Sequence, residues 1–399
     1  MRTHLLLSLS LLGLTLACRE DAGSPTAPDL SPALATTAST LVFAQVSAGR
    51  DHTCGVTSDS RLFCWGLNGD GAVGDGTTIN RLGPVPVGGA LRFRQVSAGW
   101  NSTCAVTTDN RAYCWGDNFL GELGDGTTSN RLRPAAVTGG HRFRRVDVLT
   151  WHACGVTYPD DRAFCWGWNR SGQLGIGNNT GPQVNVGGAY SSKPLAVLRG
   201  LTYRHVAVGQ EHSCGVTTDY RIFCWGRIYF ENVGDTGSWL KFTPVMVSGN
   251  QQYWQVDAGV VHTCAVTLGN RAFCWGHGFD GEMGNGSQSS NRYPKPVLGG
   301  ISFRRVSVGD TFTCAETPAD RVYCWGSSGI FGDGVSSTHL APVAVAAGLS
   351  FAQVSAGAGY VCGKTPQGRA YCWGENYGGQ LGNGTTAYSG APVPVAGPK

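Results

Sequence analysis

The chain has 399 residues, 60 of them Gly, only 14% charged, and carries a formal charge of +4. So small a positive balance, with no Lys/Arg run, excludes the electrostatic footprint of a nucleic-acid binder. Low charge with abundant Gly fits many tight turns joining strands buried on both faces, and no long amphipathic helical pattern occurs.

Arg2 and His4 precede an apolar run at 5–16. That run is too short to span a bilayer and has the length of a signal-peptide core, so residues 1–17 read as an export signal. It ends in Thr15-Leu16-Ala17-Cys18, which resembles a bacterial lipobox in which Cys18 becomes the lipidated first residue. Thr15 stands where that pattern prefers Leu, and ordinary signal-peptidase cleavage near Ala17 is the alternative. Residues 18–40, rich in Ala, Ser, Thr, Pro and Asp, read as a disordered tether. The protein is therefore expected to be exported, either as a membrane-anchored lipoprotein held only by the lipid at Cys18 or as a secreted or periplasmic protein.

From residue 41 the cysteines set the rhythm. Apart from Cys18 they form local pairs: Cys54/Cys64, Cys104/Cys114, Cys154/Cys165, Cys214/Cys224, Cys264/Cys274, Cys314/Cys324 and Cys362/Cys372. A turn signal such as Thr108-Asp109-Asn110 lies between the members, flanked by strand-like residues. A hairpin there puts the two Cys opposite each other on adjacent strands, within disulfide reach. Sequence alone does not fix connectivity, but the same hairpin recurs, which favours the local pairing. No C-x-x-C knuckle supports zinc, and disulfides agree with export.

Each second Cys begins a Cys-Trp-Gly triplet, with Trp at 65, 115, 166, 225, 275, 325 and 373. A period near 50 residues means a propeller, solenoid or array. One unit reads as strands at 93–97, 103–107 and 111–115, a Gly-rich loop at 118–128 and a last strand near 134–137. Four strands without a helix match a propeller blade. The predicted fold is all-β: a seven-bladed β-propeller over 41–397, with four-stranded blades and one disulfide within each. The chain enters on a first-strand segment, 41–47, and leaves on a last-strand segment, 392–395, which is expected to pair beside the first blade and lock the ring.

The order of first strand, Gly, His-x-Cys-x-Val-Thr, turn, Cys-Trp-Gly-x-Asn, Gly-x-Leu-Gly-Asp-Gly and Pro-x-x-Val resembles the regulator-of-chromosome-condensation repeat over about 41–397. The resemblance implies a seven-bladed propeller. The paired Cys depart from that repeat, replacing apolar residues. The family's best-known member promotes guanine-nucleotide exchange on a nuclear GTPase and sits on chromatin. That activity is not expected of an exported chain without a basic tail. Some secreted propellers similar to this chain inhibit β-lactamases through an aromatic-rich face.

Loops such as Gly121-Glu122-Leu123-Gly124-Asp125-Gly126 lack the following helix that a phosphate loop needs, and read as structural turns. Asn68-Gly69-Asp70-Gly71 with Asp75 lacks the Glu that completes a calcium loop. His52, His152, His212 and His262 share one repeat position that Ser102, Phe312 and Tyr360 fill elsewhere, so a hydrogen-bonding role is expected rather than a metal ring. No nucleophile–base set stands out, every propeller Cys has a bridge partner, and neither a catalytic nor a metal site nor a cofactor is assigned.

The candidate binding residues are those that break the repeat. The turns after the first strands gather on one face and carry Arg50, Asp51, Trp100, Asn101, Trp151, Glu211, Asp310, Phe312 and Tyr360. Aromatic rings among charges are typical of interface hot spots, whereas the same rings tucked between blades would be core. A second group, Tyr229, Phe230 and Trp239, lies in the odd fourth repeat, and an insertion at 178–192 enlarges the third. The expected function is a monomeric, non-catalytic scaffold that binds an unidentified protein in the envelope or medium through one propeller face. The alternatives are a glycan-binding module, an inhibitor of a secreted enzyme such as a β-lactamase, or a propeller lyase or hydrolase.

Overall fold

The computed structural model describes residues 41–227, 240–327, 331, 338–345 and 348–398, all within the compact unit Ser39–Lys399. The segments read as signal and tether, Cys18 included, and Tyr229, Phe230 and Trp239, lie outside these residues. Seven antiparallel sheets follow one another, each built from consecutive strands. The first blade is Phe43–Ala48, His52–Thr57, Leu62–Gly66 and Arg81–Val87. The third blade, Phe143–Val148, His152–Thr157, Ala163–Trp168 and Gly188–Ala196, gains a fifth, edge strand, Gln183–Asn185, from its insertion. The only helical element among the described residues is a 3-10 turn at Leu298–Gly300, and none of their helices is long and apolar enough to cross a membrane.

All seven hairpin disulfides form as the spacing predicts, one per blade. In the first three blades they are Cys54–Cys64, Cys104–Cys114 and Cys154–Cys165. In the next two they are Cys214–Cys224 and Cys264–Cys274, and in the last two Cys314–Cys324 and Cys362–Cys372. The partners stand directly opposite each other in the register of the second and third strands. The Cα atoms of each bridged pair lie 4.1 Å apart. The extra residue between Cys154 and Cys165 is absorbed in the hairpin turn, so that pair keeps the same register as the others.

Every bridge is completely buried. It sits in an inter-blade core beside the Trp of a Cys-Trp-Gly triplet, which is also fully buried. That indole carries a second role. Trp115, Trp166, Trp225 and Trp325 donate their N–H to the carbonyls of Ala72, Glu122, Gln173 and Glu282 in the preceding blade's loop, at 2.8–2.9 Å. Gly124, at φ +65°, shows why the loop needs glycine: a Cβ there would lie 2.8 Å from the Trp166 indole nitrogen. Within these loops Asn68 donates to the carbonyls of Thr77 and Ile79 and accepts the Val73 N–H, and Asp75 pairs with Arg81. They are self-knit turns, as expected.

The ring does not close by a shared strand. The last strand, Ser389–Pro394, pairs with Ala370–Gly374 in the seventh blade, not with the first, which corrects the expected lock at 392–395. The physical reason is that every blade is complete from consecutive strands, and blades join through side chains and single backbone bonds such as the Phe43 N–H to the Gly368 carbonyl at 2.8 Å. Gln353 donates to the Val46 carbonyl and accepts the Val46 N–H, at 2.9 and 3.1 Å. The Ala48 N–H donates to Ser355 Oγ at 2.9 Å, and the Trp65 indole to the Gln380 carbonyl at 2.9 Å. Phe43, Trp65, Tyr360, Cys362, Cys372 and Leu381 then belong to one apolar cluster across the closure.

The histidine position is a layer of blade-to-blade hydrogen bonds. His52, His152, His212 and His262 place Nε2 at 2.7–2.9 Å from the hydroxyls of Thr103, Ser213, Thr263 and Thr313 in the next blade. Tyr360 meets Thr53 in the same way at 2.9 Å. Where the first partner is Ser102 or Phe312, the second is Ala153 or Val361, so the hydroxyl disappears where it has nothing to bond. Tyr360→Phe removes the phenol that donates to the His52 carbonyl at 2.7 Å. It is expected to lower stability by about 1–2 kcal/mol in denaturant titration, and an unchanged midpoint would contradict the closure described here.

Burial pushes His152 down to about 3 and His52 to about 4. Each is neutral in the fold. Its contribution is complete above the ordinary value of about 6.5 and is lost as pH falls from there towards the folded value, because only the unfolded chain then takes up the proton. His152→Asn should therefore reduce the pH slope of unfolding free energy near pH 5 by about 1.4 kcal/mol per pH unit, one proton's worth. Other buried groups are common to both proteins and cancel in the comparison. Equal slopes would contradict the assignment.

Candidate functional site

The first and third strands of a blade run the same way, so the turns after the first strand and the loops after the third emerge on one face. This turn face carries Arg50, Asp51, Trp100, Asn101, Trp151, Glu211 and Asp310. A chain of ring contacts runs across its first three blades. The Arg50 guanidinium lies 4.7 Å from the Trp100 ring centre. Trp100 meets Trp151 at 6.2 Å, and Trp151 meets Trp168 at 5.1 Å, both edge to face. Trp168 is nearly buried with Leu120 and Tyr190, and Trp151 packs against them, whereas Trp100 and Trp151 remain partly exposed.

The third-blade insertion builds the wall of this patch. Its hairpin pairs Gln183 with Tyr190 and Asn185 with Gly188. Asn185 donates to the Phe119 carbonyl at 2.9 Å, and the Trp168 indole donates to the Gly187 carbonyl at 2.9 Å. That anchoring leaves Val186 at 97% exposure at the tip, and Phe119 half-exposed beside it. An apolar tip held by polar bonds at its base is an arrangement for contact with another molecule.

Phe312 and Tyr360, expected on this face, are corrected: both are completely buried. They open the second strands Phe312–Glu316 and Tyr360–Lys364 and occupy the inward histidine position, filling blade gaps. Asp51 is also buried, contacted by the Tyr377 hydroxyl and by Arg50 at 3.5 Å. Glu211 accepts from Ser171 at 2.8 Å and lies near Arg227. The Asn101 carbonyl accepts the Asp117 N–H. Trp168, Phe119 and Tyr377 were not expected, whereas the 184–186 tip lies in the insertion at 178–192 that the sequence singled out. Trp168 had a signal: it follows Cys165-Trp166-Gly167 where other repeats have Leu67, Asp117 or Glu375.

The patch is flanked by carboxyls of altered acidity. Burial, with Asp117 next, pushes Glu122 up to about 8, and burial raises Asp310 to about 6. One group could offer metal ligands among the described residues: His277, Asp280 and Glu282, with ligand atoms within 4.8 Å of one another. Glu282 already accepts the Asp280 N–H and contacts His277 Nδ1. Gln173 and Gln380, at the same repeat position, brace their loops through the Ser171 and Gly378 N–H groups, so Glu282 reads as the same brace.

A closed ring of seven blades on a single four-stranded repeat, the third with an added edge strand, and with one irregular aromatic face, makes this a seven-bladed β-propeller. The regulator of chromosome condensation (RCC1) repeat matches at residues 43–72, 93–122 and 351–380 in one form, and at 59–106, 160–216, 270–315 and 367–399 in another. Together these cover more than half of the chain, which belongs to this repeat family. The fold is similar to yeast RCC1 (Prp20), seen bound to Kap60, with a TM-score of 0.71 and 16% identity over 96% of this chain and 91% of that one. It is also similar to human WBSCR16, with a TM-score of 0.70 and 20% identity over 79% of this chain and 84% of that one. Among curated relatives, the ultraviolet-B receptor UVR8 of Arabidopsis thaliana is 32% identical over 185 residues, which is 46% of this chain and 40% of the receptor. The human probable E3 ubiquitin-protein ligase HERC4 is 39% identical over 71 residues, 18% of this chain and only 6% of the ligase. The chain thus matches less than half the length of either relative.

Proposed function

We propose that this propeller is a non-catalytic binding module of the cell envelope that holds a protein partner against its turn face. One observation carries the reading: the ladder Arg50–Trp100–Trp151–Trp168, walled by a hairpin with an exposed apolar tip. Arg and Trp dominate interface hot spots, and partly exposed rings on rigid turns lose little entropy when covered. A protein of the same fold, yeast RCC1 (Prp20), is seen bound to Kap60. The seven buried disulfides suit an oxidising compartment, and the export signal at 1–17, the tether at 18–40 and a lipid or cleavage at Cys18 would place the domain there. The module acts as a monomer, and inhibition of a secreted enzyme is one form its binding could take.

Glycan binding is the second reading, favoured by Trp100 and Trp151 beside Asn101. Capture from envelope extract and culture medium with residues 19–399 separates the two. A protein retained after glycosidase treatment is the expected result. Retention of glycans alone would overturn the protein-partner reading.

A further inference from the structure

The innermost strands line an axial cavity of about 570 Å³, within the range of small-molecule sites. At the turn face it narrows where glycine turns meet: a Cβ on Gly49 would lie 2.2 Å from the Gly99 carbonyl oxygen. One level of the wall is formed by seven equivalent positions, Gln45, Gln95, Arg145, His205, Gln255, Arg305 and Gln353. Four of these are glutamines that brace the ring. Gln45 donates to the Val96 carbonyl and accepts the Val96 N–H, at 2.8 and 3.0 Å. Gln95 does the same with Val146, Gln255 with Val306, and Gln353 with Val46, at 2.8–3.1 Å. His205 Nε2 lies 3.1 Å from Val256 N and O.

Arg145 and Arg305 abandon this bridge. A guanidinium has no acceptor and cannot copy the glutamine. The Val354 N–H beside Arg305 is taken instead by the Glu316 carboxylate, at 2.7 Å. Neither guanidinium makes a hydrogen bond or ion pair among the described residues, and that of Arg305 lies 5.9 Å from the Trp254 ring centre. Both are exposed near the mouth opposite the turn face, on the linker face where each last strand leads into the next first strand, and Arg94 and Arg204 add positive charge there. Two carboxyls lie one level deeper, and the Arg145 charge partly offsets the rise that burial gives them. Asp147 accepts the Val208 N–H and the Ser97 hydroxyl, Asp257 accepts the Val308 and Ala258 N–H groups, and burial raises Asp257 to about 7. Two structural bridges have been exchanged for two cations facing one cavity.

We propose that Arg145 and Arg305 bind a small phosphate-class oxyanion, free phosphate or a phosphorylated metabolite, in the axial cavity from the linker face. The guanidinium fork matches the oxygens of a phosphate, and the cavity walls weaken competition from water. This site is separate from the turn-face patch and does not depend on it.

The test is calorimetric titration of the 19–399 chain with pyrophosphate in low-salt buffer, for the wild type and for Arg145→Gln with Arg305→Gln. Glutamine at position 145 can rebuild the bridge used elsewhere in the ring, and at position 305 the Val354 N–H keeps its Glu316 acceptor, so the double variant should stay folded and melt close to the wild type without ligand. The expected result is saturable one-site binding by the wild type, and binding roughly tenfold or more weaker in the variant. Pyrophosphate should raise the melting midpoint of the wild type only. Absence of saturable binding by the wild type, or equal affinity in both proteins, would overturn the proposal. So would sedimentation with phosphatidylglycerol vesicles that pyrophosphate does not compete, because the arginines would then serve a surface and not a cavity.

Discussion

Once unfolded and reduced, the chain is expected not to regain its fold until its thiols are reoxidised. Each bridge closes a loop of about ten residues, worth about 2.5 kcal/mol on the chain-entropy account. Seven such losses exceed the ~5–15 kcal/mol net stability of a typical domain. The bridges also lie between the two strands at the centre of each blade, so a chain lacking them loses the same restraint in every repeat. Because the sulfurs are completely buried, reductant should reach them only after the blade opens. Thiol release from the native protein should therefore be slow and should follow the unfolding rate. Rapid release with an unchanged melting midpoint would show that the bridges are dispensable.

Trp100→Ala with Trp151→Ala should abolish most of the affinity for the partner and leave the ring intact. The two rings touch each other, and Trp100 also carries the Arg50 guanidinium, so their removal breaks the ladder in its middle. Truncating an interface hot spot costs about 2 kcal/mol or more, so the double variant should lose on the order of a thousandfold in Kd, subject to the coupling expected of touching residues. The fold should survive because neither ring belongs to the inter-blade core that contains Trp115 and Trp166. Unchanged affinity with unchanged melting would remove these rings from the interface.

The scaffold was legible because its chemistry repeats. Each Cys-turn-Cys-Trp-Gly segment states the same hairpin, and recurrence converted weak local signals into a ring with known bridges. The pairs Cys214–Cys224, Cys264–Cys274, Cys314–Cys324 and Cys362–Cys372 follow the rule that the first blades set, even where the loops around them depart from the repeat. The irregular turn residues Trp100 and Trp151 stood out against that background. Phe312 and Tyr360 did not separate from them by position along the chain, since a shift of one or two residues past the turn moves a side chain from rim to core. Their partners carried the missing signal: a histidine or tyrosine goes with Thr or Ser in the next blade, and Phe312 goes with Val361. Closure was hidden for a related reason. Gln353 and Val46 lie 307 residues apart, and their bond depends on the ring already existing. The channel arginines were hidden among first-strand residues until the glutamine bridges showed what Arg145 and Arg305 lack.

The most direct measurement places a photo-reactive residue at Phe119 or at Tyr158 and illuminates the protein with its captured partner. Both side chains are about half-exposed, Phe119 beside the aromatic patch and Tyr158 in a hairpin turn on the opposite face. Cross-linking from position 119 and not from 158 is the predicted result. Cross-linking from 158 alone would put the partner on the linker face and contradict the account.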